Sequence, residues 1–172
     1  MNDNEVIQLG IIDTVHYREA SKVDILKVAE LHNDLVYFIQ QQTRDAYWNF
    51  EELFIDDTMK YLQEFLDSTN CRIYLAVYED EIIGFIMGEV IRCHLPISKV
   101  SEVGYITAAY IKEGYQRNGI VKGLEEQLIH FYKMLGIQYV ELNYMYKNIG
   151  AKKCWEALGY HIFREQARKE IM

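Results

Sequence analysis

Residues 109–135 constrain the fold more than any other part of this sequence. An apolar strand is predicted over residues 106–111, followed by a break at residues 112–114 and a polar turn that contains Gly119. Beyond the turn, apolar residues recur at spacings of three and four, which predicts an amphipathic helix. Its apolar stripe consists of Ile120, Leu124, Leu128, Phe131 and Leu135. Gly136 follows the last of these, where a left-handed residue commonly ends a helix.

This strand, turn and helix predict an anion-binding site. The first backbone N–H groups of a helix have no partner within the helix, and its dipole adds partial positive charge there. Gly119 lets a phosphate approach the backbone without meeting a Cβ atom. The sequence has no G-x-G-x-x-G pattern, and Lys122 is followed by Gly123 rather than by the Ser or Thr of a P-loop. Both common nucleotide-binding loops are therefore excluded.

Two short motifs carry a family resemblance. Residues 116–121 read Gln-Arg-Asn-Gly-Ile-Val and resemble the pyrophosphate-binding turn of the GNAT superfamily of acyl-CoA-dependent N-acetyltransferases, Gln/Arg-x-x-Gly-x-Gly/Ala. Further on, residues 148–151 (Asn-Ile-Gly-Ala), Trp155 and residues 158–160 (Leu-Gly-Tyr) are similar to a second signature of the same family. The resemblance extends over roughly residues 14–171.

The resemblance implies a single-domain α/β fold of the GNAT type. We expect a mixed, mainly antiparallel sheet of about six to seven strands, flanked by about four helices, with splayed fourth and fifth strands. The expected strands are residues 14–19, 72–78, 82–91, 103–111, 138–146 and 160–171, and the expected helices are 25–41, 51–69, 120–135 and 148–158. Residues 1–13 are expected to form an N-terminal extension, and residues 14–172 the N-acetyltransferase domain.

The implied cofactor is acetyl-CoA. Its amide-rich arm would pair with the fourth strand, and its pyrophosphate would lie on the turn. The residues implied for this role are Ala109, Tyr110, Ile111, Gln116, Arg117, Asn118, Gly119, Ile120, Val121 and Asn148. Val121 departs from the Gly or Ala of the family, which predicts a crowded turn with its backbone donor intact, and Gly123 is expected to leave room for the cofactor.

The residues for catalysis are less well defined. Trp155 stands where many members have a tyrosine that protonates the departing thiolate, and its indole has no titratable proton. Tyr105 and Asn143 stand where some members carry acidic residues. The remaining candidates are Tyr105, Tyr144 and Tyr146 as proton donors and Glu102 and Glu141 as proton acceptors through water. Positioning of the reactants alone is an alternative, and an acyl-CoA-binding module without turnover is the alternative function.

Charge segregation predicts a cationic acceptor amine, either a small molecule or a protein amine. Residues 24–67 hold ten acidic residues against three basic ones, whereas the proposed cofactor side is basic. An acidic surface concentrates cations. The acceptor candidates, in and after the segment that joins the first two helices, are Tyr47, Trp48, Glu51, Glu52 and Asp56. The alternative is that these acids are simply the solvated faces of two amphipathic helices.

Composition bounds the remaining classes. A chain of 172 residues with half its residues apolar predicts one globular domain. No apolar run approaches a membrane span, and the acidic residues 1–5 do not resemble a signal peptide. Three cysteines and five scattered histidines suggest neither disulfides nor a metal site. We therefore expect a cytoplasmic protein that binds no metal and no membrane. The net charge of −8 argues against binding of nucleic acid. The sequence leaves open whether the protein forms a homodimer.

Overall fold

The computed structural model describes residues 14–171, which form one five-stranded sheet in the order β1-β2-β3-β4-β5. The strands are β1 (His16–Glu19), β2 (Cys71–Tyr78), β3 (Glu81–Arg92), β4 (Glu102–Ile111) and β5 (Val140–Leu142). The first four pair in antiparallel fashion, and β5 pairs with β4 in parallel. The expected N-terminal extension, residues 1–13, lies outside the described residues.

Helices cover both faces of this sheet. They are α1 (Ile25–Thr43), α2 (Ile55–Asp67), α3 (Ile120–Met134) and α4 (Ile149–Ala157). Successive residues of a strand point to opposite faces. Accordingly, Phe85 packs in the core beneath α1 and α2, and Ile86 packs in the core beneath α3 and α4. The central strands are apolar on both faces for this reason.

The ends of the helices are determined by local interactions. Ser21 and Asp24 form a capping box before α1, in which the Asp24 carboxylate accepts from the Ser21 backbone N–H at 2.8 Å. The bidentate hydrogen bonds from Arg18, at 2.8 and 2.7 Å, hold the pKa of Asp24 far below its usual range. Gly119 precedes α3 and Gly136 follows it, both with positive φ. Leu135 lies beyond the end of α3 and is 50% exposed, so the apolar stripe ends at Phe131 and Tyr132.

The second helix starts later than predicted, at Ile55 instead of residue 51. The preceding segment is held extended against α1 by two side-chain hydrogen bonds. Gln40 donates from Nε2 to the Phe50 carbonyl at 2.8 Å, and the Leu53 N–H donates to the Tyr37 hydroxyl at 3.2 Å. Because the Phe50 carbonyl and the Leu53 N–H are bonded to side chains of α1, they do not adopt the orientation that a first helical turn would require.

The prediction of six to seven strands is wrong, because the described chain forms five. β5 covers Val140–Leu142, whereas residues 138–146 were expected, and residues 160–171 form no strand. A strand requires a neighbouring edge, and β5 offers only three residues as the sheet's last strand. Side chains 161–171 are all exposed. We call residues 161–171 the C-terminal segment.

None of the helices within residues 14–171 combines the length and the apolar character needed to cross a bilayer.

Candidate active site

The fourth and fifth strands separate at a bulge. β5 pairs with β4 only from Gly104 to Ile106. At the next residue, Thr107, the register with β3 shifts between Met87 and Gly88, and the Thr107 hydroxyl donates to the Met87 carbonyl at 3.1 Å. A bulge bends a strand and strengthens its twist. The remainder of β4 therefore has no partner on its β5 side within the described chain, which leaves a backbone edge open to an added strand.

The open edge leads into a turn with two residues of positive φ, Arg117 at 66° and Gly119 at 73°. The Gln116 side chain fixes the start of the turn by donating to the Ile111 carbonyl at 2.9 Å. Asn118 is 7% exposed and donates from Nδ2 to the Tyr115 carbonyl at 3.2 Å. These bonds hold the strand, the turn and the helix start in one arrangement.

The N-terminus of α3 fits an anionic group. Gly119 is the residue before the helix, and the first helical turn contains no acidic side chain. Its unpaired backbone donors and the helix dipole favour negative charge. Three basic residues are close to it in the sequence: Lys112, Arg117 and Lys122. Lys112 is paired with Glu81, and Lys122 lies 3.9 Å from Glu126. The residues present therefore suit a pyrophosphate such as that of acetyl-CoA.

One expectation at this turn requires correction, and it concerns Gly123. The side chain of Val121 packs partly buried against the core beneath α3, and the crowding expected from it stays a prediction. Gly123 leaves room for Tyr17, since a Cβ atom added at Gly123 would lie 2.2 Å from that ring. Asn148 begins α4, and its side-chain oxygen caps the helix by accepting from the Ala151 N–H at 3.0 Å, while its amide nitrogen makes no hydrogen bond within residues 14–171.

Tyr105 and Asn143 meet at the point where the strands separate. Tyr105 is the second of the three paired residues, Asn143 directly follows β5, and the Asn143 amide donates to the Tyr105 hydroxyl oxygen. Glu141 is the register partner of Tyr105 on β5. Burial raises the pKa of Tyr105, with smaller raising effects from Glu141 and Glu89 and lowering effects from Arg164 and Asn143. The phenol therefore keeps its proton at neutral pH.

The structure does not bring the other catalytic candidates to this point. Tyr144 packs against the core beneath α3, and Tyr146 is 75% exposed beside Lys147. Glu102 begins β4 and pairs with Arg92 in the register. Trp155 is 8% exposed and contacts Tyr160 edge-on, with ring centroids 5.5 Å apart, so it is a core residue.

Glu89 is a residue that the sequence analysis missed. It is the register partner of Tyr105 on β3, so Glu89, Tyr105 and Glu141 form a row across three strands. Side chains of directly paired residues share one face of a sheet. Its position depends on the register between β3 and β4, which no spacing within the sequence reveals.

The acceptor candidates lie on or near the connection between α1 and α2. Tyr47 and Trp48 belong to a short 3₁₀ turn, Ala46–Trp48, which begins at Asp45. Glu51 and Glu52 are exposed on the extended segment, and Asp56 is exposed in the first turn of α2. Among residues 14–171, these three carboxylates make no hydrogen bond or ion pair. They are free to interact with solutes.

A groove of about 280 Å³ lies beside this connection. Its walls come from the end of α1, the chain after β5 and the C-terminal segment. Lys147 bridges the first two by donating to the Thr43 carbonyl at 3.0 Å, and Arg168 joins the third by donating to the Asp45 carboxylate. These Arg168 bonds and Lys147 nearby lower the pKa of Asp45 to about 2.

Together, a separated parallel strand pair and an anion-binding turn at a helix start define an α/β protein built to hold an extended, phosphate-bearing ligand. Comparison with known proteins makes this more specific. The model of the acetyltransferase (GNAT) family matches residues 37–160, which is more than half of the chain. The chain therefore belongs to the GNAT acetyltransferase family, as the two motifs predicted.

Solved structures support the fold. The tetramutant of the BH1408 protein from Bacillus halodurans aligns with a TM-score of 0.80 at 20% identity, covering 91% of this chain and 99% of that one. A predicted acetyltransferase from Clostridium acetobutylicum, solved with acetyl-CoA, gives 0.72 at 18% identity, covering 91% and 96%. The aminoglycoside acetyltransferase meta-AAC0020 from an uncultured soil metagenomic sample, solved with sisomicin, gives 0.69 at 18%, covering 94% and 98%. No curated protein sequence matches this chain.

Proposed function

We propose that this protein transfers the acetyl group of acetyl-CoA directly to a primary amine. The observation that carries the proposal is the continuous path from the unpaired edge of β4 to the start of α3 at Gly119. Bound acetyl-CoA would supply a thioester, which is an acyl group activated for attack by an amine. The similar structures described with acetyl-CoA and with sisomicin support this proposal.

The chain's own groups would act in three places. The open backbone of β4 orients the ligand's amide-rich arm, and backbone N–H groups from Arg117 to Val121 hold its pyrophosphate. The Gln116 backbone N–H already donates to the Glu113 carbonyl, at 3.3 Å. The Tyr105 hydroxyl donates its proton to the departing sulfur. Glu141 accepts, through water, the proton that the attacking amine loses. This assignment uses Tyr105 because Asn143 already donates to its oxygen, which leaves the phenolic proton available for another acceptor.

The acceptor proposal follows from charge. Glu51, Glu52 and Asp56 are exposed and unpaired within the described chain, and they lie in the connection between α1 and α2 and in the first turn of α2. Carboxylates in this state attract cations through a field that salt screens. We therefore propose a cationic amine as acceptor, either a polyamine-like or aminoglycoside-like molecule or a basic protein segment. Tyr47 and Trp48 would add aromatic surface.

The direct test incubates the protein with acetyl-CoA and a panel of amines, with free thiol release and product mass as readouts. The proposal predicts thiol release that depends on a cationic amine, together with a product heavier by one acetyl group. Trp155, buried in the core instead of facing the site as an acid, favours a second candidate, an acyl-CoA-binding module. Binding of acetyl-CoA without amine-dependent thiol release would support that alternative.

A further inference from the structure

Arg168 of the C-terminal segment is bound as a ligand would be. Its guanidinium donates to both oxygens of the Asp45 carboxylate, at 3.0 and 2.6 Å, and its Cζ atom lies 4.2 Å from the centre of the Tyr47 ring. Planar bidentate pairing with a carboxylate and stacking over an aromatic face both favour binding of a guanidinium group. Asp45 and Tyr47 thus provide both parts of a cation-binding site.

The two halves of this contact differ in rigidity. The Asp45 side chain is held in place by its own backbone, since it caps the 3₁₀ turn by accepting from the Tyr47 N–H at 2.9 Å. Arg168 belongs to a segment with no regular secondary structure, whose side chains are all exposed. The carboxylate is thus a preformed receptor, and the arginine is a tethered group that can leave at little cost to the core.

The surroundings limit what can take its place. Lys147 and Arg44 also line the groove, but Lys147 is directed to the Thr43 carbonyl. Among residues 14–171, the Arg44 side chain makes no hydrogen bond or ion pair. With these cations present, the site suits one positively charged group at Asp45. Glu51 and Glu52 follow in the same connection, are exposed, and are available to attract further positive charges of the same ligand.

We infer that Asp45 and Tyr47 form a subsite for an ammonium or guanidinium group of the acceptor, and that Arg168 occupies this subsite until an acceptor displaces it. The inference rests on the proposed function, because it takes the bound cation to be the acetyl acceptor. It adds residues that the sequence analysis did not select, Asp45 and Arg168, and it makes the C-terminal segment an internal competitor. A ligand that binds only the open form has its apparent affinity reduced by the open fraction.

Binding of spermine, measured by titration calorimetry at low ionic strength with no acetyl-CoA present, tests the inference without turnover. Arg168→Ala should bind spermine roughly three- to tenfold more tightly than the parent, because the competitor is gone. Lys169→Ala is the matched control, since it removes a neighbouring charge of the same segment that makes no contact with Asp45. It should stay within about twofold of the parent.

The double variant Asp45→Asn/Arg168→Ala should lose the gain. A gain that survives in the double variant would place the cation elsewhere and overturn the inference. Equal or weaker binding in Arg168→Ala would show that Arg168 only anchors the segment, and absence of measurable binding in Arg168→Ala would also overturn the subsite. Because none of these results requires acetyl transfer, a failed acetylation assay would count against the proposed function alone.

Discussion

The Tyr132 hydroxyl donates a hydrogen bond to the Tyr105 carbonyl at 2.9 Å, which ties the last turn of α3 to the strand that carries the candidate site. Tyr132 is 1% exposed and also lies 3.3 Å from the Glu89 carbonyl. Tyr132→Phe removes this buried donor, so we expect the free energy of unfolding to fall by about 1–2 kcal/mol. Denaturant unfolding measures it. Tyr139→Phe, at an exposed tyrosine, should change stability by less than about 0.5 kcal/mol.

Gly104 lies against the same tyrosine and gives a second test of this contact. A Cβ atom at Gly104 would be 2.7 Å from carbon atoms of the Tyr132 ring, whereas a Cβ atom at Gly114 would meet nothing within 4 Å. Gly104→Ala should therefore lower stability by about 1–3 kcal/mol through overpacking, and Gly114→Ala should be nearly neutral. Equal stability of the two variants would contradict the packing described.

The Tyr105–Asn143 pair predicts a specific dependence of activity on pH. Tyr105→Phe should lower kcat about 10²-fold or more if its phenol protonates the leaving thiolate. In Asn143→Asp, the ionised carboxylate cannot donate to the Tyr105 oxygen as the amide does; it accepts a hydrogen bond from the phenol instead, which occupies the phenolic proton. The ratio of kcat for this variant to that of the parent should therefore fall as pH rises through the carboxyl pKa, about 4 when unshifted.

Asn143→Ala is the control for that measurement, since it removes the amide without adding a titratable group. Its kcat ratio to the parent should be independent of pH over the same range. If Tyr105→Phe retains kcat within about tenfold of the parent, catalysis proceeds by positioning and the assignment of Tyr105 is wrong.

Glu125 predicts a pH-dependent gain in stability. It is half-buried and accepts from the Tyr160 hydroxyl at 3.0 Å, and burial raises its pKa. A carboxyl whose folded pKa is raised destabilises the fold when ionised, so its cost is present at neutral pH and disappears as pH falls below the unfolded value. Glu125→Gln should gain less than about 1 kcal/mol near pH 7 and nothing near pH 3.

Thermal or denaturant unfolding at the two pH values measures this gain. Glu126→Gln is the neighbouring control. Glu126 is exposed, and its ion pair with Lys122 is long, at 3.9 Å. A gain for Glu125→Gln that is the same at both pH values would rule out ionisation as its origin.

The acceptor proposal predicts sensitivity to salt. The KM of the best cationic amine should rise between about 0.01 M and 0.1 M ionic strength, where the Debye length falls from about 30 Å to about 10 Å. Glu51→Gln/Glu52→Gln should raise KM at low salt and reduce this salt dependence. Glu64→Gln, at an exposed position further along α2, should change it little. A neutral or anionic best acceptor, or a KM that responds to neither change, would end this proposal.

Local signals in the sequence predicted the parts of the fold that local chemistry determines. The spacing of apolar residues after Gly119 located the start of α3, and this signal needs only neighbouring residues. The start of α2 was misplaced because Tyr37 and Gln40, on another helix, hold the chain extended. The strand expected at residues 160–171 failed for a related reason, since strand pairing depends on an edge elsewhere in the chain.

The candidate site likewise contains residues that a local motif predicts and residues that only tertiary contacts bring together. Gly119 and the residues around it follow from the motif, and the structure places them at the start of α3. Glu89 and the Arg168–Asp45 contact join residues distant in the chain, 123 positions apart in the second case. No pattern of spacing indicates which such residues meet. The acidic character of residues 24–67 was visible in composition, but the role of Arg168 in covering one of those acids required the structure.

The central claim is that acetyl-CoA binds along β4 with its pyrophosphate at Gly119, and a calorimetric titration tests it most directly. Gly119→Glu places a side chain and a negative charge where the pyrophosphate should lie. His130→Glu adds the same side chain at an exposed position of the same helix, away from its start. We predict that the parent and His130→Glu bind acetyl-CoA within about twofold of each other and that Gly119→Glu binds at least about tenfold more weakly, a difference of one decade in Kd. Equal affinity of Gly119→Glu and the parent would contradict the account.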